Sequence, residues 1–247
     1  MNARPQDELE LSVVVPCFNE AQRLSPTLEA LERGLDGRDH EVLLVDDGST
    51  DATPCLLRDF ARGRERFHVA RLTRNRGKGR ALAAGVAASS GRLVLITDAD
   101  LSVPLSDLPR LEMVLRVGGD VAIASRAVAG AIEVGKPLHR QLMGKSFNQL
   151  VQFLLLPGVR DTQCGFKLFR GDVARELFAG LGTDGFAFDV EILFEARRRG
   201  LDVVEVPVLW QDSGGSRVHA VRHSAQMLRD LLLIRLRPRP KTPAPLP

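Results

Sequence analysis

Short β-branched runs alternate with stretches of helical period over the first two-thirds of this chain, a pattern that restricts it to a mostly parallel sheet wound with helices, an α/β fold. The strand runs are Leu11 to Val15, Glu41 to Val45, Phe67 to Leu72, Arg92 to Thr97 and Asp120 to Ser125. Helical periodicity covers Glu20 to Arg33, Asp51 to Arg62, Gly79 to Ser89 and Pro104 to Val117. Within the second of these, Leu56, Leu57 and Phe60 form one apolar face behind the capping candidates Ser49 and Thr50, while Pro104 suits a first helical turn. After Arg126 the pattern changes to a Gly-containing loop, a helical stretch around His139 to Phe153 and an irregular segment from Asp161 to Arg170. Two helices, Asp172 to Leu181 and Asp189 to Arg199, precede a strand from Val203 to Val208. No Pro/Gly/Ser-rich linker interrupts the chain, so one domain is expected over residues 9–236. The prolines at 238, 240, 243, 245 and 247 make residues 237–247 an extended, disordered tail.

At 247 residues, 44% hydrophobic and 26% charged, the chain is long and apolar enough for a large core. The net charge of +3 suits an anionic partner without choosing between nucleotide, nucleic acid and membrane surface. No aromatic platform accompanies the basic residues and Tyr is absent, which disfavours nucleic acid. Cys17, Cys55 and Cys164 are odd in number and lack metal-type or C-x-x-C spacing, as expected of a reducing compartment. Met1 to Glu10 lacks the apolar core of a signal peptide, and no apolar run approaches the ~20 residues that span a bilayer. A cytoplasmic location is therefore expected.

Three of the predicted strands end in polar side chains: Pro16-Cys17-Phe18-Asn19-Glu20, Asp46-Asp47-Gly48-Ser49 and Asp98-Ala99-Asp100. Parallel strands bring such ends to one edge, where open α/β sheets bind ligands. Two carboxylates at 98 and 100 can hold a divalent metal that bridges to phosphate oxygens; equally, an Asp there can cap a helix beside a solvated neighbour. Asn75-Arg76-Gly77-Lys78-Gly79 also follows a strand and opens a helix, so its N–H groups and Lys78 can face a phosphate. It lacks the spacing of a Walker A loop, and no Gly-x-Gly-x-x-Gly follows the first strand, against a nicotinamide enzyme.

As an ordered set, Val15 to Glu20, Val45 to Asp51, Asn75 to Gly79 and Asp98 to Leu101 resemble glycosyltransferase family 2 enzymes with a GT-A fold, especially polyprenyl-phosphate sugar synthases. Asp161-Thr162-Gln163-Cys164-Gly165-Phe166-Lys167-Leu168-Phe169, Phe188-Asp189-Val190-Glu191-Ile192-Leu193 and Gly215-Ser216-Arg217-Val218 extend the likeness to dolichyl-phosphate β-glucosyltransferase-like members. The resemblance implies a donor half at residues 9–126 and an acceptor half at 127–236. It implies Pro16, Phe18, Glu20, Val45 and Asp47 in the donor's base and ribose pocket, with Lys78, Asp98 and Ala99 also on the donor. Mg²⁺ or Mn²⁺ would be held by Asp98 and Asp100, with Ser102 standing where mannosyl relatives carry a Gln ligand, a departure that favours a glucose donor.

A lipid phosphate carrying a charge of about −1.5 to −2 attacks without a strong general base, so cations must guide two anions together. Arg126, Arg140, Lys167 and Arg217 are the candidates for the acceptor phosphate, against ordinary surface charge. Asp189 is a further catalytic candidate, orienting the sugar or a cation, against a routine helix-start acid. The expected activity is inverting transfer of glucose from UDP-glucose to a dolichyl or polyprenyl phosphate. Alternatives are another donor such as GDP-mannose, a non-lipid acceptor, or a non-catalytic sugar-nucleotide-binding or scaffold protein. Met227, Leu228, Leu231, Leu232, Ile234 and Leu236, with Arg222, Arg229, Arg235, Arg237, Arg239 and Lys241, suit an interfacial helix on anionic lipid at the inner membrane face. Each cation there is worth about 1 kcal/mol. The other reading is a helix docked on the core.

Overall fold

The structure, a computed structural model, describes residues 9–135, 138–212 and 229–237, with the backbone alone at 138–143 and 145. The donor half runs β1 (Leu11–Cys17), α1 (Leu24–Gly34), β2 (His40–Asp46), α2 (Thr53–Ala61), β3 (Phe67–Arg71), α3 (Lys78–Ala88), β4 (Leu93–Ile96), α4 (Leu108–Arg116) and β5 (Val121–Ser125). β6 (Ile132–Val134), α5 (Leu138–Leu154), β7 (Lys167–Arg170), α6 (Gly171–Ala179), α7 (Phe188–Arg198), β8 (Val203–Pro207) and β9 (Leu209–Gln211) follow. Residues 229–236 form a further, C-terminal helix.

Seven strands make one sheet in the order β3-β2-β1-β4-β7-β5-β8. All neighbours pair in parallel except β7, which is antiparallel to both β4 and β5. β1, β2, β4 and β5 are buried along almost their whole length, as strands covered on both faces must be. Alternate residues feed two cores: Val13, Val15, Val42 and Leu44 face α1, α2 and α4, while Val14, Leu43 and Val45 face α3, α6 and α7. Leu231 and Ile234 of the C-terminal helix enter the second core.

The irregular segment expected from Asp161 to Arg170 is in fact the approach to β7, whose four residues complete the sheet. β6 and β9 form a separate parallel ribbon that no sequence pattern indicated. Ser49 and Thr50 do not cap α2: the Ser49 hydroxyl accepts the Asn19 N–H at 2.9 Å, and Asp51 accepts the Thr53 N–H at 2.9 Å instead. Pro104 precedes a single 3₁₀ turn, Leu105–Asp107, and Pro109 occupies the first turn of α4. Among the described residues no helix is long and apolar enough to cross a membrane. Most of residues 237–247, expected as a disordered tail, lies outside the described residues.

Candidate functional site

The carboxyl ends of β1, β2 and β4 lie side by side, with Cys17 in register with Asp46 and Val14 with Ile96. Asn19, at φ 55°, turns its side-chain carbonyl to accept the Thr50 N–H at 2.9 Å, and the Glu20 N–H is held by Thr53 at 2.8 Å. The first two strand-end loops are thereby laced into one wall. Phe18 projects from it, 39% exposed, while Pro16 sits opposite Val45 across the strands. The Val45 side chain is fully buried, so only its backbone is turned to the edge. Glu20 pairs with Arg23, a cation that sequence reasoning missed; Asp100 and Asp98 lie close enough to raise the Arg23 pKa further. Its signal was its position one turn after the first strand-end motif.

Asp47 accepts the N–H groups of Arg76 and Gly77, both at 2.8 Å, and thus shapes the loop before α3. Burial raises its carboxyl pKa, against those two bonds. The next N–H groups, of Gly79 and Arg80, are directed at the Asp184 carbonyl. A Cβ on Gly77, at φ 100°, would fall 2.4 Å from that same oxygen. Arg76, Gly77, Gly79 and Arg80 around the start of α3 thus direct their N–H groups at protein partners. Lys78 contributes its side chain instead: Nζ lies 2.5 Å from Asp98 Oδ1 and 5.5 Å from the Phe188 ring centre.

Asp98 thus has an ammonium partner where a metal was expected. Burial opposes its charge, but Lys78, Lys167 and Arg126 together lower its pKa. Gly165 makes room for it, since a Cβ there would stand 2.0 Å from Asp98 Oδ2. Gly165→Ala is expected to push Asp98 off Lys78 and reduce turnover about 10²-fold in protein that still folds. Wild-type turnover in that variant would show that the Asp98 position is not used.

Asp100 holds a different position. Its Oδ1 accepts both the Ser102 N–H at 3.1 Å and the Ser102 hydroxyl at 3.0 Å, which orients the carboxylate. The Ser102 carbonyl accepts the Gln211 N–H at 2.8 Å, and the Ala99 carbonyl accepts the Thr27 hydroxyl at 2.7 Å. Among the described residues no three His, Cys, Asp or Glu side chains cluster to hold a metal alone. One oriented carboxylate fits a hard divalent cation whose remaining oxygens come from water and a diphosphate.

The acceptor-half candidates fall into two groups. Arg126 is clamped by Asp161, with Nε at 2.7 Å and Nη2 at 2.8 Å from its oxygens, and lies 5.6 Å from the Trp210 ring centre. Asp161 is itself oriented by its N–H to Glu205 at 2.9 Å, a pair with no local sequence signal. Lys167 is 1% exposed, ion-paired with Asp189 and donating to the Cys164 carbonyl at 2.6 Å. Its ammonium is therefore engaged by protein groups inside the core. Burial raises the Asp189 pKa, against Lys167 and Lys78. Arg140 lies on α5 with its side chain outside the described residues, and Arg217 lies outside them altogether.

The model of the family described as glycosyl transferase family 2 matches residues 12–178. The dolichyl-phosphate beta-glucosyltransferase of Drosophila melanogaster is 37% identical over 245 residues, spanning 93% of this chain and 75% of that protein. Its Dictyostelium discoideum counterpart is 33% identical over 251 residues, spanning 96% and 77%. Among solved structures, Mycobacterium tuberculosis glucosyl-3-phosphoglycerate synthase, in complex with Mn²⁺, UDP and glucosyl-3-phosphoglycerate, superposes with a TM-score of 0.69. That match covers 92% of this chain and 78% of that one at 21% identity. The mannosyltransferase PcManGT of Pyrobaculum calidifontis, in complex with GDP-Man and Mn²⁺, gives 0.63 at 21% identity over 96% and 67%. These likenesses bear out the GT-A fold.

Proposed function

This chain belongs to glycosyl transferase family 2 and is a glycosyltransferase, and from that premise we propose that it transfers glucose from UDP-glucose to a polyprenyl phosphate of the dolichyl type. The observation that carries this reading is the likeness to dolichyl-phosphate beta-glucosyltransferases over more than nine-tenths of the chain. The wall of Phe18, Pro16 and the Asp47-held loop receives the base and ribose. Asp100 would hold a Mg²⁺ or Mn²⁺ ion beside the donor's diphosphate. Such an ion, when bound, neutralises charge on the departing nucleoside diphosphate.

The protein's own groups do the rest. Lys78, fixed by Asp98, and Arg23, fixed by Glu20, place positive charge beside the diphosphate without the freedom of surface side chains. Arg126 spends Nε and Nη2 on Asp161, and its remaining N–H donors are directed at the acceptor phosphate, with Arg140 and Arg217 as further contributors. Lys167 and Asp189 hold the floor beneath Asp98. A phosphate oxygen attacks the anomeric carbon as the bond to the diphosphate breaks on the opposite side, which inverts an α donor to a β-linked lipid-phosphate sugar. The acceptor is already an anion, so no side chain needs to remove a proton. The enzyme acts peripherally at the cytoplasmic membrane face.

Incubation with UDP-[¹⁴C]glucose, polyprenyl phosphate and Mn²⁺ is expected to move label into the organic phase, with GDP-mannose a poor substitute. Label that stays in water whatever the donor contradicts the lipid acceptor.

A further inference from the structure

The C-terminal helix has two apolar faces, and only one is used by the fold. Leu231 and Ile234 are buried in the core formed with α3, α5, α6 and α7. Arg237 bonds Glu191 at the start of α7, and a Cβ on Gly182 would meet the Arg237 guanidinium at 2.3 Å, so the helix is seated tightly. Asp230 is half-buried, with Arg229, Glu191 and Arg237 all acting on it. Successive residues of a helix are 100° apart, which puts Leu232, Leu233 and Leu236 on the opposite side. They are 48%, 46% and 76% exposed. Arg229 and Arg235 are exposed with them.

A second element extends this surface. The Arg235 guanidinium donates to the Leu154 carbonyl at the end of α5, bringing the helix beside Phe153, which is 85% exposed. Three leucines and a phenylalanine in water, flanked by arginines, match a bilayer surface carrying negative charge. A protein partner would have to bring both apolar cover and acid to the same place, whereas anionic lipid supplies both.

We infer that Phe153, Leu232, Leu233 and Leu236, with Arg229 and Arg235, form the surface by which this protein sits on an anionic membrane. Of the face expected to meet lipid, Leu231 and Ile234 are instead core residues and Leu232 and Leu236 are exposed, while Arg222, Met227, Leu228, Arg239 and Lys241 lie outside the described residues. The inference deepens the lipid-phosphate reading and rests on it for its purpose, because an acceptor with an apolar tail is reached only at a bilayer.

The test is co-sedimentation of the full chain with phosphatidylcholine vesicles, with and without phosphatidylglycerol, in the absence of sugar nucleotide. Wild type is expected to bind the anionic vesicles and to release at high salt. Combined Phe153→Ser, Leu232→Ser and Leu236→Ser should weaken binding at least about tenfold, and Arg229→Gln with Arg235→Gln should remove the preference for phosphatidylglycerol. These side chains are exposed, so the melting curve should not move. Transfer to a short-chain, water-soluble prenyl phosphate should be retained, while transfer to long-chain acceptor in vesicles falls. Equal vesicle binding by wild type and the triple variant overturns the inference, as does a wild-type dimer in light scattering that the triple variant splits. Vesicle binding without any transfer would leave this surface standing and sink the lipid-phosphate reading instead.

Discussion

Asp100→Ala is expected to lower transfer about 10³-fold or more while the protein stays folded. The carboxylate stands at the carboxyl end of β4 and is oriented by two bonds from Ser102, and on the proposed reading its loss would remove the oxygen that holds the metal beside the diphosphate. A metal contact is worth several kcal/mol of transition-state stabilisation, and each 1.4 kcal/mol is a factor of ten. The structural cost is small by comparison, about 1 kcal/mol for each hydrogen bond that Ser102 forfeits. A steady-state assay with a parallel thermal melt checks both halves. Turnover within tenfold of wild type would place the metal elsewhere, and would return the non-catalytic binding reading if wild type itself proved inert.

Lys167→Met is expected to produce a large loss of stability. Lys167 and Asp189 are 1% and 5% exposed at the side chain, and removing the ammonium leaves a carboxylate in the core with no equal replacement. Breaking such a pair costs about 3–5 kcal/mol, whereas replacing both members by apolar groups is far milder. Urea unfolding should therefore show a large drop in midpoint for Lys167→Met and partial recovery when Asp189→Leu is added. An unchanged midpoint in the single variant would mean that Lys167 reaches solvent and is free to meet the acceptor phosphate directly, as the sequence reading supposed.

The contrast between these two residues shows where sequence was informative. Asp100 follows an unbroken apolar run, and the three motifs that close β1, β2 and β4 do meet on one edge, because parallel strands leave them no other arrangement. Lys167 was misplaced because its surroundings were read as irregular. β7 is four residues long, contains two basic residues, and takes its place only by pairing antiparallel between β4 and β5, which no local pattern encodes. Its partner Asp189 comes from α7, after an intervening helix. Lys78 illustrates a second limit: a glycine-flanked lysine at a helix start suggested a backbone phosphate cradle. Four N–H groups around it, of Arg76, Gly77, Gly79 and Arg80, are directed at Asp47, 29 to 30 positions upstream, and at Asp184, 104 to 105 positions downstream. Long-range satisfaction of backbone groups was invisible from sequence, whereas the edge that gathers the acids was not.

The proposed transfer requires a nucleotide sugar bound at that edge through a divalent ion. Isothermal titration of the purified protein with UDP-glucose, in Mn²⁺ and again in EDTA, addresses it most directly. Saturable binding that weakens strongly when the ion is removed, and in Asp100→Ala, is the predicted result. No binding of UDP-glucose or any other sugar nucleotide under either condition would contradict it.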